Sequence, residues 1–214
     1  MTSLRLRVIK LGGSLLDWQQ LSARFRDWMN AQSPALNLLL VGGGEVVERF
    51  RKLDQLHHFD PQFVHWVAVD LMSLNAPLAS RILSLPGIVS TRASLHAILS
   101  NPQSSEPTQL FKNKVVLIQP TAFYSRELND PSNYPLPETW DCTSDSIAAY
   151  LAMLLGAEEL VLLKSTLADG QPELVASREQ FVQLADDGLV DRVFPAIAKN
   201  LAHVRIVNLR SQAS

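Results

Sequence analysis

One cysteine, Cys142, stands in 214 residues. That excludes an intramolecular disulfide and a cysteine-rich metal site. No charge of one sign dominates: 19 basic residues against 21 acidic give a formal net charge of -2. The chain therefore carries no electrostatic footprint for nucleic acid. No apolar run is long enough to span a bilayer. The sequence does not open on a basic region followed by an apolar stretch and a small-residue cleavage site. These absences predict a cytoplasmic protein with neither a nucleic-acid nor a membrane partner. No long-period repeat and no low-complexity segment is found. Glycine is scarce, with 9 in the chain. Five of them lie in two short stretches, Val8-Ile9-Lys10-Leu11-Gly12-Gly13-Ser14 and Leu38-Leu39-Leu40-Val41-Gly42-Gly43-Gly44.

What is present supports a packed core: 47% of residues are hydrophobic and 19% charged. The length suits one domain over residues 1–214. Leu4–Ile9 alternates and ends at Lys10, which predicts a strand. Leu15, Leu16, Leu21, Phe25 and Met29 recur near helical spacing and predict a helix from Leu15 to about Met29. Leu36–Val41 reads as a strand covered on both faces. Glu45–Leu56 reads as a helix with Val46, Phe50 and Leu53 inward. The opening order of strand, loop, helix, strand, loop, helix argues for a mostly parallel sheet with helices on both faces.

Asp60-Pro61 is a helix start, an N-cap with proline at the first helical position. That helix is expected to run to about Asn75, with Pro77 kinking or ending it. Gly87–Ser90 suggests a short strand, Ser94–Leu99 a helix, Asn101–Thr108 a surface loop, and Val115–Gln119 a third buried strand. Glu127–Glu138, with three prolines in a polar context, is expected to be irregular. Beyond it, Ile147 to about Leu155 is apolar nearly all round and predicts a central buried helix closed by Gly156. Glu159–Leu163 is a fourth buried strand and ends at Lys164. Asp169-Gly170 signals a turn. Ser177 with Gln180 forms a capping box for a helix to about Ala185. Val190–Ala202 reads as helical after an irregular start, and His203–Leu209 as a last strand.

The glycine stretches carry the chemistry. Glycine lets a backbone approach an anion closely. Helix N-termini offer unpaired N–H groups and partial positive charge. We therefore read Gly12, Gly13 and Ser14 on one loop and Gly42, Gly43 and Gly44 on the other as the cradle of one polyphosphate, with Lys10 as counter-ion and Lys164 as a second cation. No P-loop motif and no G-x-G-x-x-G spacing is present. Phosphoryl transfer needs little from a protein beyond positioning and charge neutralisation. Each residue alone also admits a plainer reading. Lys-Gly-Gly can be a tight turn, Lys164 a solvated strand end, Asp145 an acid favoured by the helix dipole, Asp141 loop polarity, and His65 a packed histidine.

In order along the chain stand Val-Ile-Lys-Leu-Gly-Gly-Ser at 8–14, Val-Gly-Gly-Gly at 41–44, Thr-Ser-Asp-Ser-Ile-Ala-Ala at 143–149 and a strand ending at Lys164. Together they resemble the amino-acid kinase superfamily of acetylglutamate, aspartate, uridylate and isopentenyl-phosphate kinases. The resemblance implies an α/β fold, a three-layer αβα sandwich with a mostly parallel central sheet. It implies ATP and Mg²⁺ as cofactors and transfer of the γ-phosphoryl to a small phosphate or carboxylate acceptor. It implies that Lys10, Gly12, Gly13, Gly43 and Gly44 hold phosphates, that Asp145 orients the lysines and that Lys164 matches the strand-end lysine of the uridylate kinase-like branch. It implies no metal-ligating residue that can be named. A homodimer or higher homo-oligomer is the usual state of the superfamily, and the helix starting at Pro61 is a candidate surface.

A narrower resemblance rests on His65-Trp66-Val67-Ala68, Leu136-Pro137 before Trp140-Asp141, and Val190-Asp191-Arg192-Val193-Phe194-Pro195. These are similar to short kinases acting on 5-(aminomethyl)-3-furanmethanol phosphate in methanofuran synthesis. The resemblance puts the acceptor against His65, Trp140, Asp141, Thr143 and Ser144. One departure bears on the nucleotide. The segment that builds the adenine pocket in larger members is short here, Ser165–Leu189, and its Gly-Met-x-x-Lys element is missing. Arg192 and Lys199 are the candidates for the missing charge. The base is then weakly held, supplied by a partner subunit or not held, and the last case corresponds to a non-catalytic nucleotide or anion binder on the same fold.

Overall fold

The mostly apolar segments 6–11, 36–41 and 159–164 lie side by side near the centre of a six-stranded sheet. The computed structural model describes residues 5–101, 113–128, 135–167 and 170–211. The strands are β1 (Leu6–Leu11), β2 (Leu36–Val41), β3 (Lys114–Leu117), β4 (Glu159–Lys164), β5 (Glu173–Ala176) and β6 (Val204–Asn208). Their order across the sheet is β3-β2-β1-β4-β6-β5. All neighbours are parallel except β5, which runs antiparallel to β6 on the edge. The helices are α1 (Leu21–Ala31), α2 (Gly44–His57), α3 (Pro61–Leu83), α4 (Arg92–Ser100), α5 (Ser144–Leu154), α6 (Phe181–Asp186) and α7 (Phe194–Ala198).

Successive residues of a strand point to opposite faces, and the central strands are apolar on both. Val8, Leu38, Leu40, Leu160 and Leu162 enter one core with α5, α6 and α7. Ile9, Leu11, Leu39, Val41, Val161 and Leu163 enter the other with α1. Helix α3 serves both cores. Its Trp66, Val69 and Met72 join the first, and Ala76, Ala79 and Leu83 join the second. Helix α5 is buried at every position from Ser144 to Ala152. Full burial of its larger apolar side chains, such as Ile147 and Leu151, contributes about 1.5–3 kcal/mol each. At the far end of the sheet from the glycine loops, Glu159 receives the guanidinium groups of both Arg7 and Arg205 and ties β1, β4 and β6 together.

Several expectations change. The helix predicted from Leu15 begins at Leu21, because Gly13–Leu15 forms a 3-10 turn instead. Only the second glycine loop therefore feeds an α-helix directly. Helix α2 has no buried residue: Val46 and Leu53 are exposed rather than inward. Pro77 sits inside α3 without ending it at Asn75; the helix runs on to Leu83. Gly87–Ser90 makes a single bridge, Val89 to Ile118, rather than a strand. The helical part of 190–202 is confined to Phe194–Ala198. Strand β5 has no counterpart in the sequence reading: four residues with exposed Glu173 and Val175 carry too little apolar pattern. The capped start of α3 is as expected, with the Asp60 side chain accepting from Phe63 N–H. Most of the loop expected at Asn101–Thr108, part of Glu127–Glu138 and Asp169 of the expected turn lie outside the described residues. Among the described residues, no helix is long and apolar enough to cross a membrane.

Candidate active site

Chain order reverses direction across the sheet between β1 and β4. Ligands of open parallel sheets bind outside the carboxyl ends of the strands at such a switch. Alternation decides which side chains face that crevice. Lys10 follows Val8 by two residues and Lys164 follows Leu162 by two, so both lysines project on the face covered by α5. The register pairs Lys10 with Leu162, which sets Lys164 about 6–7 Å further along the neighbouring strand. Asp145, in the first turn of α5, meets both. Lys164 Nζ donates to Asp145 Oδ2 at 2.6 Å, and Lys10 Nζ lies 3.0 Å from Oδ1. All three side chains are largely hidden from solvent.

Burial pushes the Asp145 carboxyl up, but the two ammonium groups outweigh it and hold the group at about 2. Burial lowers the Lys164 ammonium and Asp145 opposes that. The triad carries one net positive charge. Above it, the glycine loops pack against each other. A Cβ on Gly13 would lie 2.1 Å from Gly44 N and 2.5 Å from Gly44 Cα. Gly44 itself sits at φ +55. The first N–H groups of α2 have no carbonyl partner within the helix, and they open onto the cavity beside the lysines.

That cavity is about 380 Å³, within the range of small-molecule sites. Its lining includes Lys10, Gly13, Ser14, Gly43, Gly44, Asp145 and Lys164. Of the residues expected to meet the acceptor, His65, Trp140, Thr143 and Ser144 also line it. Asp141 does not: its exposed side chain points to Arg192, 4.0 Å away. Gly12 and Gly42 lie behind the wall. Gly12 N–H donates to the Leu163 carbonyl, and the Gly42 carbonyl accepts from Asn75. Neither Arg192 nor Lys199 reaches the cavity, so neither fills the missing charge. His65 is buried. Its Nε2 lies 2.8 Å from the Tyr124 hydroxyl and its Nδ1 lies 3.3 Å from the Thr139 carbonyl. Burial lowers its pKa, which keeps it neutral. Trp140 donates from Nε1 to Asp54 at 2.7 Å and carries the Arg51 guanidinium 4.1 Å over its ring.

A second cavity of about 440 Å³ adjoins the first and shares Gly188 and Leu189 with it. Its other lining residues include Thr166, Leu167, Leu174 and Leu184. Described residues of the short 165–189 segment therefore do line a cavity next to the main one.

Two residues escaped the sequence reading. Asn75, in the middle of α3, donates from Nδ2 to the carbonyls of Gly42 and Gly43 at 2.8 and 2.9 Å and fixes the second glycine loop. A polar residue in an apolar stretch of helix was the only signal. Asp191 lines the main cavity and accepts hydrogen bonds from the start of α5. In the sequence it stands within the Val190–Pro195 stretch that carries the narrower resemblance, but with no role assigned to it.

The interlocked loops give a direct test. Replacing Gly13 by alanine forces backbone apart from backbone, an overpacking cost of about 1–3 kcal/mol. The variant is expected to melt lower than wild type by calorimetry. Unchanged melting would show that the two loops separate freely.

Among the described residues no group of three histidine, cysteine or acidic side chains converges as a metal site. Asp145 is committed to two lysines. The donor set fits phosphate oxygens and does not fit a protein-held metal.

With this geometry in place, comparisons with known proteins agree on one family. A model of the amino acid kinase family matches residues 5–170. The chain is 23% identical over 166 residues to the [5-(aminomethyl)furan-3-yl]methyl phosphate kinase of Methanocaldococcus jannaschii, covering 77% of this chain and 67% of that one. Among solved structures, the UMP kinase of Ureaplasma parvum superposes with a TM-score of 0.61 at 12% identity, over 98% of this chain and 92% of that one. The uridylate kinase of Archaeoglobus fulgidus gives 0.56 at 13% identity, over 94% and 89%. These two likenesses establish the fold. The family match, spanning most of the chain and both glycine loops, establishes the rest: the chain belongs to the amino acid kinase family and is a phosphotransferase.

Proposed function

We propose that the protein is an ATP-dependent kinase that transfers the γ-phosphoryl group to a small phosphorylated metabolite of the furanmethanol phosphate kind, in the synthesis of a one-carbon cofactor, methanofuran. The observation that carries this reading is the Lys10–Asp145–Lys164 triad, set under two interlocked glycine loops in the wall of the main cavity. The base of ATP goes to the cavity behind Gly188 and Leu189. The polyphosphate lies over Lys10, Gly13, Gly43 and Gly44. The acceptor enters between α2, α3 and the 139–145 loop, against His65 and Trp140. Mg²⁺ comes with the nucleotide, held by its phosphate oxygens, and belongs to the substrate.

The choice of an acceptor that arrives already ionised follows from how His65 is held. An acceptor hydroxyl needs a base, and His65, the histidine that lines the cavity, has Nε2 engaged with Tyr124. A phosphate monoester has its second pKa near 6 and arrives ionised. The lysines then serve by neutralising charge on the moving phosphoryl. The relative in Methanocaldococcus jannaschii, named for such a substrate, supports this choice.

The test is calorimetry with MgATP, followed by a transfer assay on a panel of phosphorylated and carboxylated acceptors. We expect MgATP binding and turnover of [5-(aminomethyl)furan-3-yl]methyl phosphate. Turnover of a carboxylate alone would move the acceptor class. Binding without transfer to any of them would replace the kinase reading with a nucleotide binder.

A further inference from the structure

Helix α5 begins at Thr143, a residue type that normally caps its own helix by accepting an N–H of the first turn. Here it makes no such bond. The Thr143 hydroxyl instead donates to Asp191, 48 residues further on, at 2.8 Å. The same carboxylate takes over the cap. Its Oδ2 accepts from the N–H groups of Thr143 and Ser146, both at 3.0 Å. Its Oδ1 accepts from the Ser146 hydroxyl and from the N–H groups of Val193 and Phe194 at 3.2 and 3.0 Å. One acid thus closes the first turn of α5 and the start of α7 together. A second link runs beside it, from Val193 N–H to the Asp141 carbonyl.

Asp145 lies between Thr143 and Ser146, the two residues of α5 that Asp191 grips. Its side chain has no freedom to adjust without losing one lysine, since it serves Lys164 through one oxygen and Lys10 through the other. The direction in which Asp145 points is therefore set by the first turn of α5, and that turn is set by Asp191. Asp191 also lines the main cavity, in the same segment as Gly188 and Leu189. Among the described residues it has no cationic partner at ion-pair distance. A cap by Thr143 alone would reach only its own helix, whereas Asp191 ties the start of α5 to the segment that lines the cavity.

We propose that Asp191 is a positioning residue for phosphoryl transfer: it aims Asp145 between Lys10 and Lys164 and couples that aim to the cavity wall formed by residues 188–191. Burial and the nearby Asp145 push the Asp191 carboxyl up while its bonds to Ser146 and Thr143 hold it down, and in its charged form it adds to the effect. Burial and Lys10 disfavour the ammonium of Lys164, while Asp145 and, more weakly, Asp191 favour it. The charged and titratable groups around Asp191 itself are Asp145, Lys164 and the Cys142 thiol.

The inference rests on the site being one of phosphoryl transfer, but its test does not depend on the acceptor. In the full chain, the Lys164 titration is followed by NMR of the lysine side chains in wild type and in Asp191→Asn. Turnover of MgATP with [5-(aminomethyl)furan-3-yl]methyl phosphate is measured alongside. We expect Asp191→Asn to move the Lys164 midpoint to lower pH. We also expect kcat to fall on the order of 10²-fold, as for a misplacement near 1 Å, with KM for ATP changed little. Should Asp191→Asn fail to fold, Ser146→Ala decides: Ser146 does not line the cavity, and losing its bond to Asp191 should move both readouts in the same directions by less. A merely structural cap lowers the melting temperature and leaves midpoint and kcat unchanged, and that result overturns the proposal. If wild type does not turn over this acceptor, the substrate reading fails while the Lys164 midpoint still decides the role of Asp191.

Discussion

Replacing Lys10 by alanine lowers turnover by about 10³-fold, the scale seen when one preorganised charge-stabilising donor is removed, and leaves a folded protein. The fold survives because β1 keeps both its parallel neighbours and Asp145 keeps Lys164 as a counter-ion. Turnover does not, because Lys10 is the ammonium lying between Asp145 and the packed glycine loops; its Cε would stand 3.1 Å from a Cβ placed on Gly42. Arginine is not expected to rescue it. A guanidinium is a wide planar fork and Lys10 occupies the space of a point charge. Steady-state assay with a melting curve as the folding control checks this. Turnover near wild type in a folded variant would remove Lys10 from the chemistry.

The second large effect is on stability as well as rate. Asp145→Asn leaves two hidden ammonium groups beside a neutral amide. Breaking a buried ion pair on one side costs about 3–5 kcal/mol, and here two lysines lose the same partner. Lys164, already disfavoured as a cation by burial, would lose the carboxylate that opposes this. The pH dependence follows from the native value. Asp145 titrates at about 2 in the folded chain and near 3.9 when unfolded. As pH falls, the unfolded state takes up this proton first. The stabilisation from Asp145, about 2–3 kcal/mol, is complete above pH ~4 and gone below ~2. Urea unfolding at stepped pH should reveal that loss in wild type, and its absence in Asp145→Asn. A variant as stable as wild type at neutral pH would mean that the triad is not an ion-paired unit.

How far the sequence anticipates these residues depends on whether local pattern governs them. Strand β2 matches residue for residue, because five apolar residues out of six between Pro34 and three glycines admit little else. Lys10, Lys164 and Asp145 were legible because each ends a strand or opens a helix, and such termini recur as local patterns. Asp191 and Asn75 were not. The partners that tie them to the site lie 45 and 48 residues away for Asp191, beside its local bonds to Val193 and Phe194, and 32 and 33 for Asn75, and no spacing in the chain encodes which loops tertiary packing brings together. Helix α2 failed differently. Its apolar stripe predicts a buried face, yet Val46, Leu53 and Leu56 are 45%, 37% and 72% exposed. Periodicity finds the helix and does not say how deeply it is set. Pro77 is tolerated in α3 beyond the point where the helix passes from one core to the other.

The contrast between α5 and α2 has a mechanical consequence. The floor of the site belongs to a helix buried on all sides. The opposite wall, with Gly44, Val47, Glu48 and Arg51, belongs to one that buries nothing completely. Residues in left-handed conformation stand at both ends of that wall, Gly44 and His58. Its anchors are the rings of Phe50 and Trp140 and the Asp54 carboxylate. Segments with few buried contacts open at low free energy, and packed ones do not. The floor is therefore the part of the site that resists opening, and the exposed face of α2 beyond the interlocked glycines the part that yields at lower free energy.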